Sequence, residues 1–200
     1  AVNIAPETQN GTITIKDGEV IVDAYVWMHD DKPLPANHEL VIYELHVGDF
    51  SGGEDNADVR GKYQDVIDKL DYLVDLGINA LELMPINENP GEYSWGYSPQ
   101  HFFAVGSNYG STDELKHLID ECHGKGIRVI LDGIYNHSNT ECPLTQIDHD
   151  YWYHHSPTDP DNSWVPEFNY EKYDELLDVK PAWKYVGDNV KFWIREYHID

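Results

Sequence analysis

Asp132, Asn136 and His137 follow closely upon an apolar run, Ile127-Arg-Val-Ile-Leu131. A carboxylate, an amide oxygen and an imidazole together can exchange protons, hydrogen-bond hydroxyl groups or offer oxygen to a hard cation. The run itself is apolar and β-branched around Arg128 and reads as a short buried strand. A buried strand that delivers such groups at its C-terminal end is how a parallel (β/α) barrel furnishes a site. On these residues alone, a strand ending in a polar turn reads about equally well.

The elements that would hold them are legible from residue 40 onward, where the hydrophobic period alternates between strand and helix, the pattern of an α/β fold with parallel strands. Leu40 to Val47 is the first strand. A helix near 60–75 gathers Tyr63, Val66, Ile67, Leu70, Leu73 and Val74 on one face. Gly77 stops it, and Ile78 to Met84 is the second strand. Ser111 and Glu114 form a capping box for a helix that buries Leu115, Leu118, Ile119 and Cys122. Gly124 and Gly126 close that helix, and residues 127–132 make the third strand. The stretch at about 138–180, rich in Asp, Pro, His, Trp and Tyr, exceeds an ordinary connector and indicates a functional loop or an inserted subdomain. A last helix carries Val186, Val190, Trp193, Ile194 and Tyr197, and Ile199-Asp200 opens another strand.

Residues 1–38 read as a β-rich segment and linker, and residues 39–200 as the α/β part. Thr12-Ile-Thr-Ile and Val20-Ile-Val flank Asp17-Gly18 as a hairpin, whose second strand Ala24 to Trp27 would extend. Asp30, Asp31, Pro33, Pro35 and Asn37 form a break.

The 13 basic and 37 acidic residues give a net charge of −24. Such a surface repels nucleic acid and anionic membranes but is indifferent to neutral sugars. No run approaches the roughly 18 consecutive apolar residues of a membrane span. The N-terminus lacks the parts of a signal peptide, although the chain starts at Ala1 and a leader could have been removed. A soluble protein, secreted or cytoplasmic, is expected. Cys122 falls on an apolar helix face as a buried thiol, and Cys142 falls in a polar stretch; spacing does not say whether the two meet.

Three segments carry a resemblance when taken in order: Gly77-Ile-Asn-Ala-Leu-Glu-Leu-Met-Pro85 with Trp95-Gly-Tyr-Ser-Pro99, then the strand ending in Asp132 to His137, then Val190-Lys-Phe-Trp-Ile-Arg-Glu-Tyr-His-Ile-Asp200. Over roughly residues 40–200 the chain resembles the α-amylase superfamily of glycoside hydrolases. It is most similar to the branch of branching enzymes, maltooligosyl-trehalose hydrolases and bacterial multidomain amylases. The resemblance implies the N-terminal portion, about three βα units, of a TIM (β/α)8 barrel, preceded by a short β segment. It also implies a retaining enzyme acting on an α-glucan or maltooligosaccharide, with a branching transglycosylase as the alternative. A non-catalytic carbohydrate-binding or scaffold protein is the alternative of another class.

In that family the nucleophile, the acid/base and a third carboxylate follow strands four, five and seven, so no catalytic position falls within this chain and the remainder of the catalytic domain is the expected partner. The resemblance makes His137 a hydrogen-bond donor to sugar and Tyr97 a platform under the same ring. Asp132 becomes an organising carboxylate, Trp95 a further cleft aromatic, and Asn136 a calcium ligand, the one cofactor implied. Gln100 and His101 share the loop of Tyr97 and are candidate cleft residues. Gly133 stands where a bulkier apolar residue is usual, which would loosen packing behind the site. Residues 171–183 intrude between Phe168-Asn-Tyr170 and the last helix.

Two other clusters invite a metal reading. Asp148-His-Asp-Tyr-Trp-Tyr-His-His155 has adjacent His154 and His155 without a helical histidine pair, and a solvated loop with sugar-facing aromatics accounts for it better. The acidic group Asp49, Glu54, Asp55, Asn56 and Asp58 lacks the spacing of a calcium loop and reads as solvated.

Overall fold

A computed structural model describes residues 4–5, 10–11, 13–21, 25–51, 60–91, 94–161, 164 and 166–200. At its centre are three parallel strands, in which side chains alternate between faces. The first two strand pairs, β1 (Ile4–Ala5) with β2 (Asn10–Gly11) and β3 (Thr14–Lys16) with β4 (Glu19–Ile21), are antiparallel. The second is the expected hairpin, turned by Asp17 and Gly18 at φ 53° and 84°. Thr12 and Val22 lie outside the described residues, and Tyr25 to Trp27 do not extend the hairpin.

The central sheet runs β5 (Ile42–Leu45), β6 (Ala80–Leu83) and β9 (Arg128–Leu131), all parallel and in one register: Leu45 opposite Leu83, and Leu83 opposite Leu131. Leu45, Leu81, Leu83 and Val129 face the helices and are buried with Leu70, Leu73, Leu115, Leu118, Ile119 and Trp193. By alternation Glu44, Glu82 and Ile130 occupy the other face.

After β5 come α1 (Val47–Phe50), α2 (Tyr63–Ile67) and α3 (Leu70–Leu76). The single helix expected over 60–75 is therefore two, broken at Asp68 and Lys69. The break re-phases the chain so that Leu70 and Leu73 stay buried while Val74 turns 42% exposed. An antiparallel ribbon of β7 (Asn87–Glu88) and β8 (His101–Val105) follows β6, which residue periodicity did not suggest. The helix α4 (Thr112–Gly124) starts on the expected reciprocal cap, Glu114 N–H donating to Ser111 Oγ at 3.2 Å and Ser111 N–H to the Glu114 carboxylate at 2.7 Å.

The stretch after β9 is not one long loop. It contains α5 (Pro143–Trp152), kinked at Asp148, and leads into α6 (Pro181–Tyr197). Phe102, Cys142, Tyr153, Phe168 and Ala182 form a second core beneath it, with Tyr153 and Phe168 stacked at 4.7 Å. Cys142 is thus buried rather than in polar surroundings, and both cysteines are free thiols. Of the intruding residues 171–183, the last three belong to α6, and the rest close on themselves through Asp174 and Val179. On α6, Trp193 and Tyr197 are buried, but Val190 and Ile194 are substantially exposed, because they flank β9 on a side that no further strand among the described residues covers. Asp200 N–H donates to the Val129 carbonyl at 3.0 Å, and its carboxylate accepts from Val129 N–H at 2.9 Å.

Residues 25–41 bind the ends of the strands opposite the polar cluster. Asp120, only 2% exposed, accepts hydrogen bonds from Met28 N–H at 3.0 Å, His29 N–H at 2.9 Å and Tyr25 O–H at 3.2 Å. Asn79 accepts from Val41 N–H at 2.6 Å and donates to the Glu39 carbonyl at 2.9 Å. Replacing Asp120 by alanine leaves those half-buried donors without their acceptor, so Asp120→Ala should destabilise the fold by about 2 kcal/mol. Denaturant unfolding of the variant beside the wild type checks this; an unchanged midpoint would show that the 25–30 segment contributes nothing.

Candidate functional site

The C-terminal ends of β6 and β9 and the two loops that leave them make one concavity of about 600 Å³. Trp95, Tyr97, Ser98, Asn136, His137 and Trp164 line it. Register explains the convergence. Leu83 and Leu131 are paired neighbours, so Met84-Pro85 and Asp132-Gly133 leave the sheet side by side.

Gly96 seats the first loop. Its φ is +88°, and a Cβ there would lie 2.3 Å from the Pro85 carbonyl oxygen. Only glycine permits the loop to fold back against the strand end in this way. Tyr97 is then held twice. Its hydroxyl donates to Asp132 Oδ2 at 2.8 Å, and its carbonyl oxygen lies 2.9 Å from His137 Nε2. The hydrogen bond to Asp132 is the largest cause that pushes the Tyr97 phenol up to about 12, followed by burial and by the charges of Asp132, Glu44 and Glu82. Glu44 and Glu82 are residues that sequence reading passed over. Their signal was a carboxylate inside each of two apolar strands, one position before the buried leucine.

His137 is 7% exposed, and burial lowers its pKa below 6.5, opposed by its hydrogen bond to Tyr97. A neutral ring donating from Nε2 to the Tyr97 carbonyl leaves Nδ1 as an acceptor. Asn136 Oδ1 stands 3.0 Å from Nδ1, so the neutral ring is served when the amide turns end for end and presents its N–H. Trp164 stacks on the imidazole, with centroids 5.6 Å apart and planes at 24°. Sequence reading placed Trp164 only within an aromatic-rich stretch.

Asp132, Tyr97 and His137 are therefore brought together, with Trp95 in the same concavity at 60% exposed. Gln100 and His101 are not cleft residues. Gln100 is buried and its backbone N–H donates to the Glu88 carbonyl, while His101 begins β8 and burial lowers its pKa. Gly133 does not loosen the packing: a Cβ there would stand 2.5 Å from the Tyr135 ring, which already fills the space.

Asn136, the calcium ligand implied by the resemblance, lines the cleft beside His137. Among the described residues no group of three or more His, Cys, Asp or Glu is placed to hold a metal. His149 and His155 both face the Asp150 carboxylate in an exposed concavity that His154 also lines. Asp49 lies 3.0 Å from His46 Nδ1, and the rest of its acidic group lies outside the described residues. No helix among the described residues is long and apolar enough to cross a membrane.

Two titrations follow from this geometry. A raised tyrosine pKa means that the Tyr97–Asp132 bond contributes fully below pH 10 and is lost as pH rises through about 12. The contribution of neutral His137 is present above 6.5 and lost as pH falls through its lowered pKa. NMR of labelled tyrosine and histidine rings should show Asp132→Asn returning Tyr97 toward 10 while His137 still titrates below 6.5. An unmoved Tyr97 would remove Asp132 as the cause.

The family model for the α-amylase catalytic domain matches residues 45–199. A malto-oligosyltrehalose trehalohydrolase from Saccharolobus solfataricus is 34% identical over 184 residues, covering 91% of this chain and 30% of that protein. A 1,4-alpha-glucan branching enzyme from Vibrio cholerae is 36% identical over 163 residues, covering 80% of this chain and 22% of the enzyme. The crystal structure of a putative α-amylase from Salmonella typhimurium matches with a TM-score of 0.75 at 30% identity, covering 90% of this chain and 28% of that one. The chain thus spans 22% to 30% of the length of these three proteins. A match that runs from the end of β5 to the penultimate residue takes in β6, β9 and the cleft at their ends, and the chain belongs to the α-amylase catalytic-domain family.

Proposed function

We propose that these residues are the first three βα units of a (β/α)8 barrel acting on α-glucans by a retaining mechanism. The observation that carries the reading is Tyr97, clamped by Asp132 and His137 on the floor of an open, aromatic-lined cleft. Pyranose faces carry C–H groups, and a fixed aromatic plane binds them without having to be ordered first. The clamp sets the height and tilt of that plane. His137 contributes through Nδ1, since its contact with exposed Asn136 is the one a sugar hydroxyl can replace. A neutral imidazole there positions the sugar by hydrogen bonding and adds no charge. Asp132 acts through Tyr97. Displacement at the anomeric carbon needs two carboxyl groups about 5 Å apart on either side of the bond. In this reading both belong to strands following Asp200, and none of Asp132, Glu44 or Glu82 supplies them. Hydrolysis is the leading outcome. Likeness to a branching enzyme supports transfer to a second glucan as the alternative.

Reducing-sugar release from soluble starch tests the reading, with chain-length analysis to separate shortened chains from new branches. The full-length gene product should turn over. The 200-residue chain should not, because positioning groups cannot replace covalent and acid–base catalysis. In the full-length protein, Tyr97→Ala should lower kcat/KM by about 10- to 100-fold. Turnover by the 200-residue chain comparable with the full-length protein would place the catalytic carboxylates inside it and overturn this account.

A further inference from the structure

Trp164 is 69% exposed, an unusual placement for so large an apolar side chain. One face of its ring lies against His137 at 5.6 Å, and the same residue borders the cleft that Tyr97 and Trp95 border. Its support is rigid, because His137 is buried and its Nε2 is held by the Tyr97 carbonyl. An indole with one face fixed and its remaining surface open over an apolar concavity is arranged to receive a second flat, weakly polar surface. The cleft volume of about 600 Å³ lies within the range of about 300 to 1,000 Å³ usual for small-molecule sites.

From this we infer that Trp164 is a second sugar-stacking platform, which binds a glucosyl unit next to the one over Tyr97 and so makes the cleft select chains rather than single sugars. The inference rests on the α-glucan reading above and adds to it a residue contributed by the stretch after β9. Tyr97, fixed from both ends, governs the unit whose geometry matters to bond breaking. Trp164, held on one side only, governs affinity for the neighbouring unit. The two should separate in kinetics, since binding that is equal in ground state and transition state changes KM and leaves kcat alone.

The test uses the full-length gene product with maltohexaose as probe. Trp164→Ala should raise KM about tenfold, the size of one aromatic stacking contact, and leave kcat within about twofold. Trp164→Phe should recover most of the loss. Quenching of tryptophan fluorescence by maltohexaose should weaken in Trp164→Ala to the same degree as KM rises. An unchanged KM overturns the inference. So does a fall in kcat with KM unaltered, which would mean that Trp164 only supports His137. If the wild-type protein neither binds nor cleaves any maltooligosaccharide, the α-glucan reading itself fails and takes this inference with it.

Discussion

Everything at the site depends on Tyr97 being held at both ends. Its hydroxyl is bound by Asp132 and its carbonyl by His137, and both partners leave the same strand within six residues. That arrangement exists because β6 and β9 pair in a register that sets Leu83 beside Leu131. A slip of one residue would exchange the two faces of β9 and carry Asp132 away from Tyr97. The register is in turn enforced by burial: Leu81, Leu83 and Val129 are all completely enclosed against the helices.

The second core explains how the cleft acquires its other wall. The stretch after β9 is held down by Phe102 from β8 and by Cys142, Tyr153 and Phe168 from the stretch itself. Ser138 donates to the Tyr153 hydroxyl at 2.8 Å, and Phe168 N–H donates to the Asn136 carbonyl at 3.0 Å. The backbone that presents Asn136 and His137 is therefore bonded directly to this core. The ribbon β7–β8 has a structural part in this too, since Phe102 joins the two cores through its carbonyl, which accepts from Asn87, Asn189 and Trp193.

The opposite end of the sheet is organised by carboxylates and amides of a different kind. Asp120 gathers the backbone of residues 28–29, and Asn79 joins β5 to β6 at their start. These groups are enclosed or tied to backbone, so they hold the fold and do not meet a ligand. A polar residue at a strand end is thus not a site by itself. Asp132 differs because its partner, Tyr97, opens onto a cavity.

Local sequence determined much of this. The three strands, the cap at Ser111 and the hairpin at Asp17-Gly18 depend on side-chain period and backbone preference, which neighbouring residues set. Asp132, Tyr97 and His137 became legible through the family resemblance, since on the residues alone a strand ending in a polar turn reads equally well. The break between α2 and α3, the ribbon β7–β8, the burial of Cys142 and the exposure of Val190 and Ile194 were decided only by tertiary packing. Each turns on which distant residue lies opposite: Tyr153 and Phe168 for Cys142, and an uncovered strand edge for Ile194. Gly133 shows the limit most plainly, since its missing side chain reads as a gap in one dimension and is filled by Tyr135 in three. Trp164 shows the converse, because no periodicity separates a tryptophan packed inside a loop from one laid over His137. Only the stacked geometry does.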